Sequence, residues 1–196
     1  YLFLTEDDMD THDLEGTKYV CTPPPRGVDD HAAIWRALAD GTFQVFSSDH
    51  SPWHYADKTK CGPRTPFHKI PNGVPGVETR MPLLYSEGVG KGRITLEQFV
   101  ALGATNPARI YGLYPRKGTI AVGADADLVI WDTEREVTIT NAMLHHATDY
   151  TAYKGMKVKG WPIVTLSRGE VVWRDGEVLG RPGRGRFLPC DRVGPG

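Results

Sequence analysis

Ahead of Gly41 the apolar positions Ile34 and Leu38 recur four residues apart with Ala37 beside them, which predicts a helix through Ala39 with one core-facing side. Asp29 and Asp30 stand where its N-cap would be, and Gly41 where it would stop. The period then changes. Phe43-Gln44-Val45-Phe46-Ser47-Ser48 is β-prone, a predicted strand over 43–48 that ends abruptly in Asp49-His50-Ser51-Pro52. Ahead of the helix, Tyr1-Leu2-Phe3-Leu4-Thr5 reads as the end of a strand. Lys18-Tyr19-Val20-Cys21 reads as another, stopped by Thr22 and then Pro23, Pro24 and Pro25, which continue neither ladder nor helix. Strand, helix and strand at this spacing make a βαβ unit, and that calls for a parallel sheet in an α/β fold.

Residues 51–93 lose periodicity and are rich in Pro and Gly, as in Lys69-Ile70-Pro71-Asn72-Gly73-Val74-Pro75-Gly76. Structureless stretches of this length in ordered domains tend to carry function, and Trp53, Phe67, Ile70, Val74 and Met81 give this one apolar anchors. A short helix is predicted from Pro82 to Glu87. Thr95-Leu96-Glu97-Gln98 is a capping box for a helix that places Leu96, Phe99, Val100 and Gly103 on one side, and Asn106-Pro107 reads as the cap of a second helix ending near Tyr111. After Pro115 short β runs alternate with turns. Pro162–Ser167, Arg168-Gly169 and Glu170–Trp173 form a predicted hairpin, followed by a tight turn at Asp175-Gly176. The organisation expected is a barrel-like α/β part over 1–114, a small antiparallel β layer over 115–180, and an arm over 181–196.

Composition changes this picture little. The 196 residues carry a net charge of -1, which gives no electrostatic case for nucleic acid or an anionic membrane as partner. No apolar run approaches membrane-spanning length. The cysteines Cys21, Cys61 and Cys190 are widely spaced, which suggests neither a zinc knuckle nor a disulfide framework and fits a cytoplasmic setting. The chain opens on apolar residues without Met, so it is expected to be a piece of a longer polypeptide.

Candidate chemistry centres on Asp49. A strand that ends in Asp-His before a long loop is how a parallel barrel presents a catalytic group at its C-terminal mouth. By strand alternation His50 points to the opposite face. His50 and His54 have helical ligand spacing, but Pro52 lies between them. His145-His146 reads as a surface pair, the acidic residues between Glu6 and Gly16 as a solvated loop, and Asn72-Gly73 equally as a plain tight turn or a binding loop.

Several stretches, taken together and in order, resemble the C-terminal part of the dihydropyrimidinase and hydantoinase family of cyclic amidohydrolases. They are Lys18-Tyr19-Val20-Cys21-Thr22-Pro23-Pro24, Ser48-Asp49-His50-Ser51-Pro52, the run from Phe67 through Ile70-Pro71-Asn72-Gly73-Val74-Pro75-Gly76-Val77-Glu78 to Pro82, Ala104-Thr105-Asn106-Pro107-Ala108, and Gly118 through Gly123-Ala124-Asp125-Ala126-Asp127-Leu128. The resemblance implies the C-terminal part of a (β/α)8 barrel plus part of a small β-sandwich. It implies a site for two metal ions, usually zinc, bridged by a carboxylated lysine that with the family's histidine ligands would lie upstream of Tyr1. Asp49 matches the aspartate that ligates metal and acts as general base toward a bridging hydroxide. Thr22 and Asn72 match positions that hold the cyclic ureide or imide substrate through backbone groups. Thr22 stands where the family often has Ser, and Ser51 where Cys is common.

The implied activity is hydrolytic opening of dihydropyrimidines or 5-substituted hydantoins by a homotetramer. The isolated fragment is expected to bind no zinc and to be inactive. Two alternatives stay open: a non-catalytic scaffold of the same fold, which the presence of Asp49 argues against, and an allantoinase or dihydroorotase, from which Ile70-Pro71-Asn72-Gly73 points away.

Overall fold

Helix α2 (Val28–Ala39) forms where the period-3.6 pattern places it, but Gly27 is its N-cap, and Asp29 and Asp30 lie in the first turn. There their carboxylates meet the positive end of the helix dipole instead of capping it. The computed structural model, which describes residues 1–190, orders the remaining elements as α1 (Glu6–Met9), α3 (Tyr55–Thr59), α4 (Arg80–Leu84), α5 (Leu96–Val100), α6 (Asn106–Ile110), and the strands β1 (Leu128–Thr138), β2 (Lys157–Ser167), β3 (Glu170–Arg174) and β4 (Glu177–Val178). The chain divides into two units, each drawn from separated stretches. One takes Tyr1–Asp40, Ser47–Met81 and Thr138–Lys157; the other takes Gly41–Phe46, Pro82–Val137 and the residues from Val158 onward.

In the first unit Leu2, Leu4, Trp35, Leu38, Ile139 and Tyr150 are buried. Phe3 packs edge-on against both Trp35 and Tyr153, with ring centroids 6.2 and 6.4 Å apart. The first residues do not build a strand: Thr5 makes one isolated parallel bridge to Arg26. The acidic stretch is not all loop either, because the Asp8 carboxylate accepts from the Thr5 backbone N–H at 2.7 Å and seats α1. The expected strand at Lys18–Cys21 is replaced by a 3-10 turn, Glu15–Tyr19. Short-range bonds favour the turn: Thr17 Oγ1 donates to Leu14 O at 2.7 Å, and the Gly16 N–H to Thr11 Oγ1 at 2.9 Å.

In the second unit Leu83, Leu84, Ile94, Phe99, Leu102, Val158 and Trp161 are buried. The Thr95–Gln98 capping box is present, Thr95 Oγ1 accepting from the Gln98 N–H and Gln98 Oε1 from the Thr95 N–H. Helix α5 runs through a π-helical segment, Ala101–Thr105, directly into α6. Asn106 is therefore helical and caps nothing; its Nδ2 donates to Gln44 O at 3.0 Å. The Phe46 N–H likewise donates to Leu102 O. Residues 43–48 thus form no ladder: a parallel strand needs neighbours on both sides, and among the described residues this backbone bonds to a helix instead. The short helix expected at Pro82 begins at Arg80 and passes into a π segment, Tyr85–Val89.

The β layer is one sheet in the order β1-β2-β3-β4. Its hairpin turns are the expected ones, with positive φ at Arg168, Gly169, Asp175 and Gly176, the combination that matches the twist of paired strands. Tyr85, Phe99 and Trp131 form an aromatic cluster with ring centroids 5.2 to 5.6 Å apart. Gly160 faces this cluster, and a Cβ there would lie 2.3 Å from the Tyr85 ring. Within the arm, Arg184 donates to Ser167 O and pairs with Glu170, Arg168 Nη2 donates to Arg184 O, and Phe187 is exposed. The rest of the arm, 191–196, lies outside the described residues.

Candidate active site

Three stretches of the first unit converge on the candidate residues. The turn after Val20 carries Cys21 and Thr22, the stretch after Ser48 carries Asp49, and the Ile70–Gly76 loop carries Asn72. Asn72 Nδ2 donates to Thr22 Oγ1 at 2.9 Å, so residues fifty apart in sequence are joined directly. The Asn72 carbonyl accepts from Ser51 Oγ at 3.3 Å and from Trp53 Nε1 at 3.1 Å. Gly73, at φ 139, lets the loop come so close to Ser51 that a Cβ would sit 2.3 Å from its Oγ.

Thr22 and Asn72 share the wall of a cavity of about 550 Å³, with Cys21, Phe67, His68 and Ile70 among the other lining residues. That volume suits a small heterocycle. Asp49 is not in that wall. It is exposed, with φ 45, a conformation that Asp and Asn tolerate better than most residues. Its charge still reaches the neighbouring turn: burial pushes the Cys21 thiol up, and the Asp49 carboxylate adds to that rise.

His50 makes contacts of its own, with no strand at 43–48 to set its direction. Its Nδ1 accepts from the Gly76 and Val77 N–H groups at 3.1 and 3.2 Å, and its backbone forms an isolated parallel bridge with Val74. His145 is more than a surface residue, since Glu78 receives its backbone N–H at 2.7 Å and its Nδ1 at 2.8 Å. His146 Nε2 is paired with Asn141 Oδ1 at 2.8 Å. Among the described residues no group of three or more His, Cys, Asp or Glu is placed to hold a metal ion.

Sequence reasoning passed over Lys58. It is 2% exposed, and its ammonium donates to Thr17 O at 2.9 Å and Val20 O at 3.1 Å. Burial drives its pKa down to about 8 from an ordinary 10.5. Between these values the unfolded chain binds more protons than the folded one, so stability rises with pH across that window. In the complete protein, urea unfolding should show this rise, and Lys58→Met should abolish it. Equal slopes for the two proteins between about pH 8 and pH 10 would contradict the burial of the charge.

Elsewhere, the aspartates of Gly123-Ala124-Asp125-Ala126-Asp127-Leu128 hold local structure in the second unit. Asp125 pairs with Arg116 and Lys117, and Asp127 accepts from the Arg168 N–H at 2.7 Å. No helix among the described residues is long and apolar enough to cross a membrane.

Comparison with known proteins accounts for this arrangement. Residues 8–172 match the amidohydrolase family. The chain is 50% identical over 188 residues to the D-hydantoinase of Ralstonia pickettii, covering 96% of this chain and 41% of that protein. It is 48% identical over 187 residues to the D-hydantoinase of Rhizobium radiobacter, covering 95% of this chain and 40% of that one. Among solved structures, the dihydropyrimidinase of Brevibacillus agri superposes with a TM-score of 0.95 at 41% identity, over 100% of this chain and 42% of that one. The chain thus spans about two fifths of the length of these relatives, and it belongs to the amidohydrolase family.

Proposed function

We propose that the complete protein is a metal-dependent cyclic amidohydrolase that opens dihydropyrimidine and 5-substituted hydantoin rings. The observation that carries this reading is the 50% identity to a D-hydantoinase over 96% of this chain. In it, residues 1–114 contribute the last strands and helices of a (β/α)8 barrel, 115–180 one share of a β-sandwich, and 181–196 an arm. The assembly is a cytoplasmic homotetramer.

The substrate ring alternates N–H and C=O groups and is met by backbone donors and acceptors at Thr22 and Asn72. Both lone-pair directions of the Asn72 carbonyl are engaged by Ser51 and Trp53, which leaves the Asn72 N–H to address a ring carbonyl. Bound metal, zinc in this reading, would supply water acidified enough to attack near neutral pH, and Asp49 would be the ligand that these residues contribute. As general base its carboxylate takes the proton from the attacking water and returns it to the departing amide nitrogen. Thr22 and Asn72 hold the ring still meanwhile, so the attack proceeds as a step within one bound complex.

The test is an assay of the complete protein against dihydrouracil, 5-monosubstituted hydantoins, dihydroorotate and allantoin. Release of N-carbamoyl amino acids from the first two is the expected result. Turnover of dihydroorotate or allantoin alone would reassign the substrate.

A further inference from the structure

A buried cation lies behind the two loops that meet the substrate. Lys58 reaches from α3 to the carbonyls of Thr17 and Val20. The Val20 carbonyl also accepts the Gly73 N–H at 2.9 Å. One oxygen therefore joins three stretches: α3, the turn leading to Thr22, and the loop that carries Asn72. Thr22 follows Val20 by two residues, and Asn72 immediately precedes Gly73. The Asn72–Thr22 side-chain bond closes the same ring of contacts from the cavity side.

We infer that Lys58 is a positioning residue for the substrate, fixing through the Val20 carbonyl the separation between the Thr22 and Asn72 backbones. This rests on the ureide-hydrolase reading above, which gives those two backbones their role. A planar ring held by groups on two different loops is bound only as well as the loops are spaced, and rigid support from behind is what such a site requires. A lysine suits the task for a definite reason. Two carbonyls converge on its nitrogen, and the amine keeps two N–H donors even when neutral, so the tie holds in both protonation states. An apolar replacement would take one of the two donors from each carbonyl, leaving only the Gly73 N–H on Val20 O and the Val20 N–H on Thr17 O, and so loosen the 17–22 backbone.

The test uses the complete protein carrying Lys58→Met, with circular dichroism and metal content compared with the unmodified protein. The KM for dihydrouracil should rise about tenfold or more while kcat stays within about threefold, the signature of lost binding without lost chemistry. Lys58→Gln, which retains amide donors on a shorter stem, should fall between the two. A purely structural strut would lower the unfolding midpoint and leave KM in place, so a KM within about twofold of the original in a folded variant overturns the inference. Should Lys58→Met not fold, amide exchange in the unmodified, metal-depleted protein decides. Saturating dihydrouracil should slow segments 17–24 and 70–76 together, and slowing of one or neither overturns it. An unmodified protein that opens no ureide ring would overturn the substrate reading and this inference with it. An active one whose variant keeps its KM overturns the inference alone.

Discussion

Asp49→Asn in the complete enzyme should lower turnover of dihydrouracil by more than about a hundredfold and leave the fold unchanged. Loss of one general base costs about 10²–10⁴-fold, and in the proposed mechanism a charged metal ligand would be lost as well. Asparagine is the informative replacement because Asp49 has φ 45. Asn tolerates that conformation, so the carboxylate's proton chemistry is removed without adding backbone strain. The side chain is exposed, and no core packing is disturbed by the change. A variant that kept more than about a tenth of the original kcat would remove Asp49 from the role of base. Asp49→Ala should be no more active and somewhat less stable.

The second large effect concerns residues 1–196 by themselves. Purified alone, this polypeptide should bind no stoichiometric zinc and show no measurable hydrolysis of dihydrouracil or hydantoin. Asp49 is its single candidate ligand, and no cluster of three or more ligating side chains occurs among the described residues. One carboxylate competes poorly with water for a divalent ion that prefers three or four protein ligands. The polypeptide should also associate. Phe43, Val45, Ile120, Val122, Val129 and Ile130 are exposed, Val122 and Ile120 nearly completely. Such apolar surface seeks partners in water. Two equivalents of metal by elemental analysis, together with activity, would mean that ligands other than Asp49 have been overlooked.

How far each feature could be read from sequence followed the range of the interactions that make it. The Thr95–Gln98 box and the turns at Arg168-Gly169 and Asp175-Gly176 were legible because their bonds close within a few residues and their backbone angles suit those residue types. The strand over 43–48 was not, because a parallel strand is defined by neighbours remote in sequence, and the bonds this backbone does make, to Leu102 and Asn106, are themselves 56 and 62 residues distant. The cap expected at Asn106 failed for a related reason. A π-helical segment carries α5 into α6, and nothing in Asn106-Pro107 itself announces that continuity. His145 looked like a surface residue because its partner, Glu78, stands 67 positions away. Lys58 was the least legible of all. Within Tyr55-Ala56-Asp57-Lys58-Thr59 a lysine reads as a solvated charge, and its burial is imposed by carbonyls 41 and 38 residues earlier. Asp49, Thr22 and Asn72 were named because family motifs run through them; the bond between Thr22 and Asn72 was not foreseeable.

The interleaving of the two units bears on how the chain can be made. Residues emerging from the ribosome up to Met81 include most of the first unit, yet Ile139, Tyr150 and Ala152, all buried within it, are translated only later. The second unit waits likewise for Val158 and Trp161. The first unit cannot complete its core while the segment 82–137 is being synthesised, so Phe3 waits through that interval for its packing against Tyr153. A stop codon before Ile139 would withhold Ile139, Tyr150 and Ala152 from that core permanently, and such truncated products are the ones cellular proteases should remove first.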